Sequence, residues 1–357
     1  MSPLGIMGRS SPLGRGIRSA AGGEALYCDG SDDMPACRAI LAAAHAFLVL
    51  AALATAQEPT QPQDPTQPWA IDGEFPAAGV QGERGAGIAE ALRTRNYERA
   101  ETLLLEAAEA QPRDAAVLRL LGGVFFLRGR PLNAAVALKK AEAIAPLDER
   151  SRFTLVMSYV AVGHRDWARP ELAKLVDTDP LSALYAYWTA RLDYEDQQHA
   201  AAVKGFLHAI ELDRAFMRAW DNLGLSYDAL GRFDEAVRSF EEAIRLNGEQ
   251  KTPSPWPSFN LGLLLTRLDR LDEAEARFRE SLASDPRFAQ AHYQLGLVLE
   301  KRGPMEQATA ELEEAARLDP ASAEAQYALA RLYRRAGNRE KADRALQRFE
   351  QIRKDQK

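Results

Sequence analysis

Residues 219–243 read AWDNLGLSYDALGRFDEAVRSFEEA, and the order of large and small side chains in this stretch decides the fold. Leu223, Tyr227 and Leu230 are spaced by four and three residues, so they share one face of a helix. Gly231 then breaks the pattern with the residue best suited to the left-handed backbone of a helix C-terminus. Beyond it Ala236, Phe240 and Ala243 again fall four and three apart, which predicts a second helix with small residues on either side of a large one. The stretch is therefore helix, tight turn, helix.

The same pattern recurs along the chain. Alanine stands at Ala100, Ala134, Ala168, Ala202, Ala236, Ala274, Ala308 and Ala342, at intervals of 34 residues except for one of 38. Four residues after each comes a large apolar side chain: Leu104, Leu138, Leu172, Phe206, Phe240, Phe278, Leu312 and Leu346. Three further on the residue is small, at Ala107, Ala141, Ala209, Ala243, Ser281 and Ala315, with Leu175 and Phe349 as exceptions. Leu-Gly pairs at Leu121-Gly122, Leu223-Gly224, Leu261-Gly262 and Leu295-Gly296 mark the preceding helices. Pro112, Pro146, Pro180, Pro286 and Pro320 stop the second helices, because proline cannot donate to the ladder. A fixed period of this length is the signature of stacked helix pairs.

The chain resembles the tetratricopeptide repeat family, most plainly in Ala219, Trp220, Leu223, Gly224, Tyr227, Gly231, Ala236, Phe240 and Ala243. The resemblance covers residues 81–357 and implies an all-α fold, an α-solenoid of about eight helix-turn-helix units. Their expected bounds are 81–114, 115–148, 149–182, 183–216, 217–250, 255–288, 289–322 and 323–357. It also implies that the first helix of each unit lines a concave groove that takes a protein or peptide. Two tracks follow at the non-core positions of those helices. One is aromatic, with Phe153, Tyr187, Phe259, Tyr293 and Tyr327; the other bears amides, with Asn222, Asn260 and Gln294. Aromatics bring large contact area with few rotatable bonds, and amides pair with both groups of a peptide backbone. Arg191 and Arg331 are expected in the same groove, where they would meet acidic groups or pair within the chain. The structural alternative is that both tracks hold the array together.

Several units depart from the pattern. The first has Gly87-Ile88 in place of Leu-Gly and is expected to act as an N-terminal cap or to fray. In the fourth, Asp193 falls where an apolar residue is expected, which predicts a turn one residue shorter. Pro170 lies early in a second helix. The 38-residue interval inserts Gly248 to Pro257, where Trp256 stands among prolines and is expected to pack over the next helix.

Upstream, Ala39 to Ala56 is apolar and uncharged, follows Arg38, and ends in Ala54-Thr55-Ala56. That is the shape of a secretory signal, with residues 34–56 as the signal peptide, cleavage after Ala56, and export to the periplasm or outside the cell. A membrane anchor formed by residues 39–56, a transit segment and a buried helix are the alternatives. A lipid anchor is disfavoured because Cys28 and Cys37 both precede the apolar run, and a mature chain from Gln57 would hold no cysteine. Residues 1–33 read as an upstream segment without a fold, with Met34 as an alternative start. Residues 57–80 read as a linker, opening on the proline-rich QEPTQPQDPTQP.

The formal net charge of -6, with Lys and Arg dispersed, does not suit a nucleic-acid partner. His164, His199, His208 and His292 lie far apart, and no metal, nucleophile or phosphate motif occurs, so neither enzymatic activity nor a cofactor is expected. The expected function is that of an exported interaction scaffold, with a periplasmic assembly chaperone as the alternative.

Overall fold

A computed structural model describes residues 83–355, which form sixteen α-helices and no strand. The expected upstream segment, signal and linker lie outside the described residues. The first four repeats contain α1 (Glu83–Arg93) and α2 (Tyr97–Ala110), α3 (Ala115–Leu127) and α4 (Pro131–Glu142), α5 (Glu149–Ala161) and α6 (Arg165–Thr178), and α7 (Ala183–Glu195) and α8 (His199–Leu212). The last four contain α9 (Met217–Ala229) and α10 (Phe233–Gly248), α11 (Trp256–Arg267) and α12 (Leu271–Ser284), α13 (Ala289–Arg302) and α14 (Met305–Leu318), and α15 (Ala323–Arg335) and α16 (Arg339–Asp355). Each helix packs on its neighbours in sequence, and first helices of successive repeats also touch, as α9 does α11 and α11 does α13. The core therefore runs along the stack rather than gathering at one centre.

The turn inside each pair repeats with the same period. Arg95, Gly129, Gly163, Gln197, Gly231, Asp269, Gly303 and Gly337 all have positive φ. Five are glycine, which has no Cβ to oppose that geometry. In repeat five the Arg232 N–H donates to the Tyr227 carbonyl at 2.9 Å, closing the helix end. Repeat four does the same with Gln198 and the Asp193 carbonyl at 2.8 Å, around Gln197 at φ 60°. The expected shortening of this turn is thus incorrect, because a non-glycine residue takes the left-handed position and keeps the length. The Asp193 carboxylate accepts from Arg169 Nη1 at 2.8 Å, which explains how a polar group stands in an apolar position. α6 runs continuously through Pro170.

The alanines of the 34-residue series are all buried, as are the large side chains four residues on from Leu104 to Leu312. The Leu-Gly glycines explain why the helices of a pair approach so closely. A Cβ at Gly224 would lie 2.6 Å from a ring carbon of Phe240, and one at Gly262 would lie 2.7 Å from Phe278. Gly122 and Gly296 face Leu138 and Leu312 in the same way. Each large residue fills the space that its glycine leaves, which is how interiors reach crystal-like density. At Ile88 the series has no glycine, yet Ile88 is buried in the core of the first two repeats.

The insertion is closed by one side chain. Asn247 accepts from the Ser254 N–H at 2.8 Å and donates to the Ser254 carbonyl at 2.7 Å, pinning the added residues against the end of α10. Trp256 then meets Phe259 and Phe288 edge-on, with ring centroids 5.8 and 4.9 Å apart. It packs over the start of the next repeat. At the far end Phe349 packs against Tyr327, at 5.4 Å.

His292 clamps the seventh repeat. Its Nδ1 lies 2.7 Å from a Glu311 carboxylate oxygen and its Nε2 lies 3.1 Å from the Pro286 carbonyl. Both partners accept, so only the imidazolium satisfies both. The bond to Glu311 raises the His292 pKa against the opposing effect of burial, helped by the Pro286 carbonyl and the nearby Glu314. A raised folded-state pKa gives stability that is present below the unfolded value of about 6.5 and lost as pH rises through the folded value. His292→Gln is therefore expected to shift the melting-temperature difference between pH 6 and pH 8 in favour of pH 8, while His199, whose pKa burial lowers, contributes with the opposite sign in both proteins. An unchanged pH difference in that variant would refute the clamp.

Candidate peptide-binding site

The first helices carry the residues that sequence alone assigned to a groove, and the structure divides them by depth. Phe153, Tyr187 and Phe259 are 1%, 2% and 2% exposed and belong to the core. The expectation that they occupy non-core positions is corrected: Phe153 packs on Tyr185 at 5.7 Å, Tyr187 on Phe216 at 5.0 Å, and Phe259 on Phe288 at 4.9 Å. Each ring meets another aromatic from an adjoining segment, and burial against those rings draws it inward. Tyr293 is half-buried, whereas Tyr327 is 50% exposed.

The amide track is likewise mostly occupied. Asn222 is 1% exposed. It donates to Tyr187 Oη at 3.3 Å and to the Arg218 carbonyl at 3.0 Å, and it accepts from Arg191 Nη1 at 2.9 Å. These bonds tie repeat four to repeat five, so its expected grip on a ligand backbone gives way to a structural role. Asn260 is half-buried and donates to both Asp221 carboxylate oxygens at 3.1 Å. Gln294 is half-buried on α13. Arg191 also bonds Glu195 at 3.1 Å, and Arg331 pairs with Glu300 at 2.5 Å, so both arginines sit in intramolecular pairs.

Beside these residues runs a half-buried row that aromatic and amide patterns do not show. Leu225, Leu263 and Leu297 occupy the same position in three successive first helices, α9, α11 and α13. Arg191 holds that position in α7 and Arg331 in α15. The three leucines rest on the core but are half-buried, leaving apolar surface open along the first-helix face. The signal was in the sequence, since 191, 225, 263, 297 and 331 follow the repeat interval. A leucine in a helical array reads first as core, and that concealed it.

Cross-repeat ion pairs border the row. Asp228 of α9 pairs with Arg267 of α11, and Glu300 of α13 pairs with Arg331 and, at 3.3 Å, with Arg335 of α15. Burial raises the Asp228 pKa, and its effect exceeds that of Arg267. Burial likewise raises the Tyr194 phenol. Among the described residues no cluster of three or more His, Cys, Asp or Glu side chains could hold a metal ion, and no helix is long and apolar enough to cross a membrane.

Sequence profiles of the tetratricopeptide repeat match residues 89–149, 216–287, 259–323 and 324–352. The chain belongs to the tetratricopeptide repeat family. Repeats three and four lie largely between these matches, and there the family's helix-turn-helix geometry persists in α5 to α8.

No curated protein sequence matches the chain. Among solved structures, the yeast Tom70 is similar, with 20% identity and a TM-score of 0.56 over 77% of this chain and 61% of Tom70. Cut9, from the APC/C hetero-tetramer Cut9-Hcn1, has 15% identity and a TM-score of 0.57 over 72% of this chain and 50% of its own. YrrB, described as a TPR protein with an unusual peptide-binding site, has 23% identity and a TM-score of 0.42 over 52% of this chain and 93% of its own. At these identities the likeness to Tom70 and Cut9 is one of fold. The fold is that of a protein-interaction scaffold.

Proposed function

We propose that this tetratricopeptide repeat protein is an exported adaptor that holds a segment of a partner protein along its first-helix face. The observation that carries the reading is the row Leu225, Leu263 and Leu297, which leaves apolar surface open in three consecutive repeats. Contiguous apolar surface rimmed by polar groups marks interaction sites. The rim here is fixed in place by ion pairs between repeats, so little ordering is needed when a ligand arrives. Support for export comes from the apolar run Ala39 to Ala56, behind Arg38 and ending in small residues.

Affinity capture from a cell-envelope extract is expected to recover one stoichiometric partner. Leu225→Asp, Leu263→Asp and Leu297→Asp together should release it while circular dichroism keeps its helical signal. Retention of the partner would place binding elsewhere, and a broad set of weakly held clients would fit an assembly chaperone instead. For export, N-terminal sequencing of protein from its native cell should begin at Gln57; a start at Met1 or Met34 would rule out cleavage.

A further inference from the structure

The joints between successive repeats differ in one pair of equivalent positions, on a second helix and at the end of the first helix that follows. In four joints both residues are uncharged: Ala135 and Val162, Val203 and Leu230, Val237 and Leu268, Thr309 and Ala336. In the other three they form an ion pair: Glu101 with Arg128 at 2.8 Å, Arg169 with Asp196 at 2.6 Å, and Glu275 with Arg302. The middle pair reverses the charges, and its carboxylate is the most open to water. The Asp196 side chain is 27% exposed, against 9% for Glu101 and 14% for Glu275. Arg169 also reaches Asp193 at 2.8 Å, and Arg165 reaches Asp196 at 2.7 Å, so two guanidinium groups of α6 hold the end of α7.

This joint, between repeats three and four, also has the least backbone in close approach. Leu175 of α6 gives a reason, because it is buried at the position where the other repeats, up to the seventh, carry alanine or serine. A larger side chain at a helix contact holds the axes apart. Near the start of the first helices, α7 instead rests on α5 through aromatic rings. Phe153 lies 5.7 Å from Tyr185 and 6.4 Å from Trp188, and Tyr185 Oη donates to Glu149.

We propose that the array flexes at this joint, turning on the Phe153, Tyr185 and Trp188 rings, with Arg165 and Arg169 as an ionic latch that salt opens. Ion pairs that water reaches hold weakly and are screened by salt, whereas apolar packing is not. α7 suits a pivot because it faces two ways: Tyr185 and Leu192 enter the core shared with repeat three, and Tyr187 and Ala190 the core of the repeats beyond. Flexion here divides the first-helix face into α1, α3 and α5 on one side and α7 to α15 on the other. Leu225, Leu263 and Leu297 all lie on the second side, so the inference goes beyond the reading of that row and stands or falls apart from it.

The test measures distances by double electron–electron resonance on the full chain, with Cys28→Ser and Cys37→Ser removing the native thiols. Spin labels at Lys140→Cys and Arg238→Cys span the joint from exposed positions of α4 and α10. Labels at Arg238→Cys and Asp343→Cys span repeats five to eight as the control. The distance distribution across the joint is expected to widen about twofold between low salt and about 1 M sodium chloride, where the screening length falls to about 3 Å. The control distribution should keep its width. Arg165→Gln with Arg169→Gln should give the wide distribution already at low salt, with circular dichroism confirming that the helices persist. Should that variant fail to fold, the salt response of the unmodified joint decides alone. A cross-joint width that salt leaves unchanged would overturn the latch. Equal widening of both pairs would overturn the joint as the place of flexion.

Discussion

Gly224→Ala is expected to destabilise the array by about 1–3 kcal/mol, yet to become neutral or stabilising once Phe240 is replaced by alanine. The reason is geometric. The new Cβ would stand 2.6 Å from a ring that is itself fully buried, so ring or helix must shift to admit it. Phe240→Ala alone should cost about 3–5 kcal/mol, the price of an emptied core site. With the ring gone the clash is gone, and alanine is favoured over glycine inside a helix by about 0.8–1 kcal/mol. Urea denaturation followed by circular dichroism on the four proteins of this cycle measures the coupling. Additive single effects would show that Gly224 is not there to admit Phe240.

Asn222→Ala should lower the melting temperature, whereas Gln294→Ala should leave it unchanged and show any effect in ligand affinity. Both side chains stand at the same position of their repeats, so sequence treats them alike. Asn222, however, joins Tyr187, Arg191 and the Arg218 carbonyl in a buried network. Its removal strands partners that water reaches poorly, at a cost of about 1–3 kcal/mol. Gln294 is only half-buried. Equal melting temperatures for Asn222→Ala and the unmodified protein would return the amide to the ligand side. The contrast is read by thermal melts alongside affinity capture of the partner.

The fold was legible because the array reuses one packing solution. A small residue at Ala236 and a large one at Phe240 report contacts that recur at Ala274 and Phe278, so each repeat serves as evidence for the others. The turn at Gln197 was less legible. Glycine announces a left-handed residue, and a glutamine that accepts the same φ does not. The candidate site was the hardest to read. Helical periodicity gives the direction of a side chain but not its depth, and depth is decided by what the neighbouring segments bring. Phe216 encloses Tyr187 and Phe288 encloses Phe259, turning a presumed ligand surface into interior. Leu225, Leu263 and Leu297 showed the opposite case, residues of interior type that rest on the core and are only half-buried.

The confinement of major contacts to neighbouring helices and successive first helices gives the molecule a property of a ruler. A further 34-residue segment spliced after Ser322 would offer both its neighbours the surfaces they already meet, lengthening the binding face by one graduation without redesign of the rest. The same splice across Gly248 to Trp256 would not be silent. There Asn247 and Trp256 set a local offset, and any change in length must reproduce the latch to Ser254 or break the stack in two.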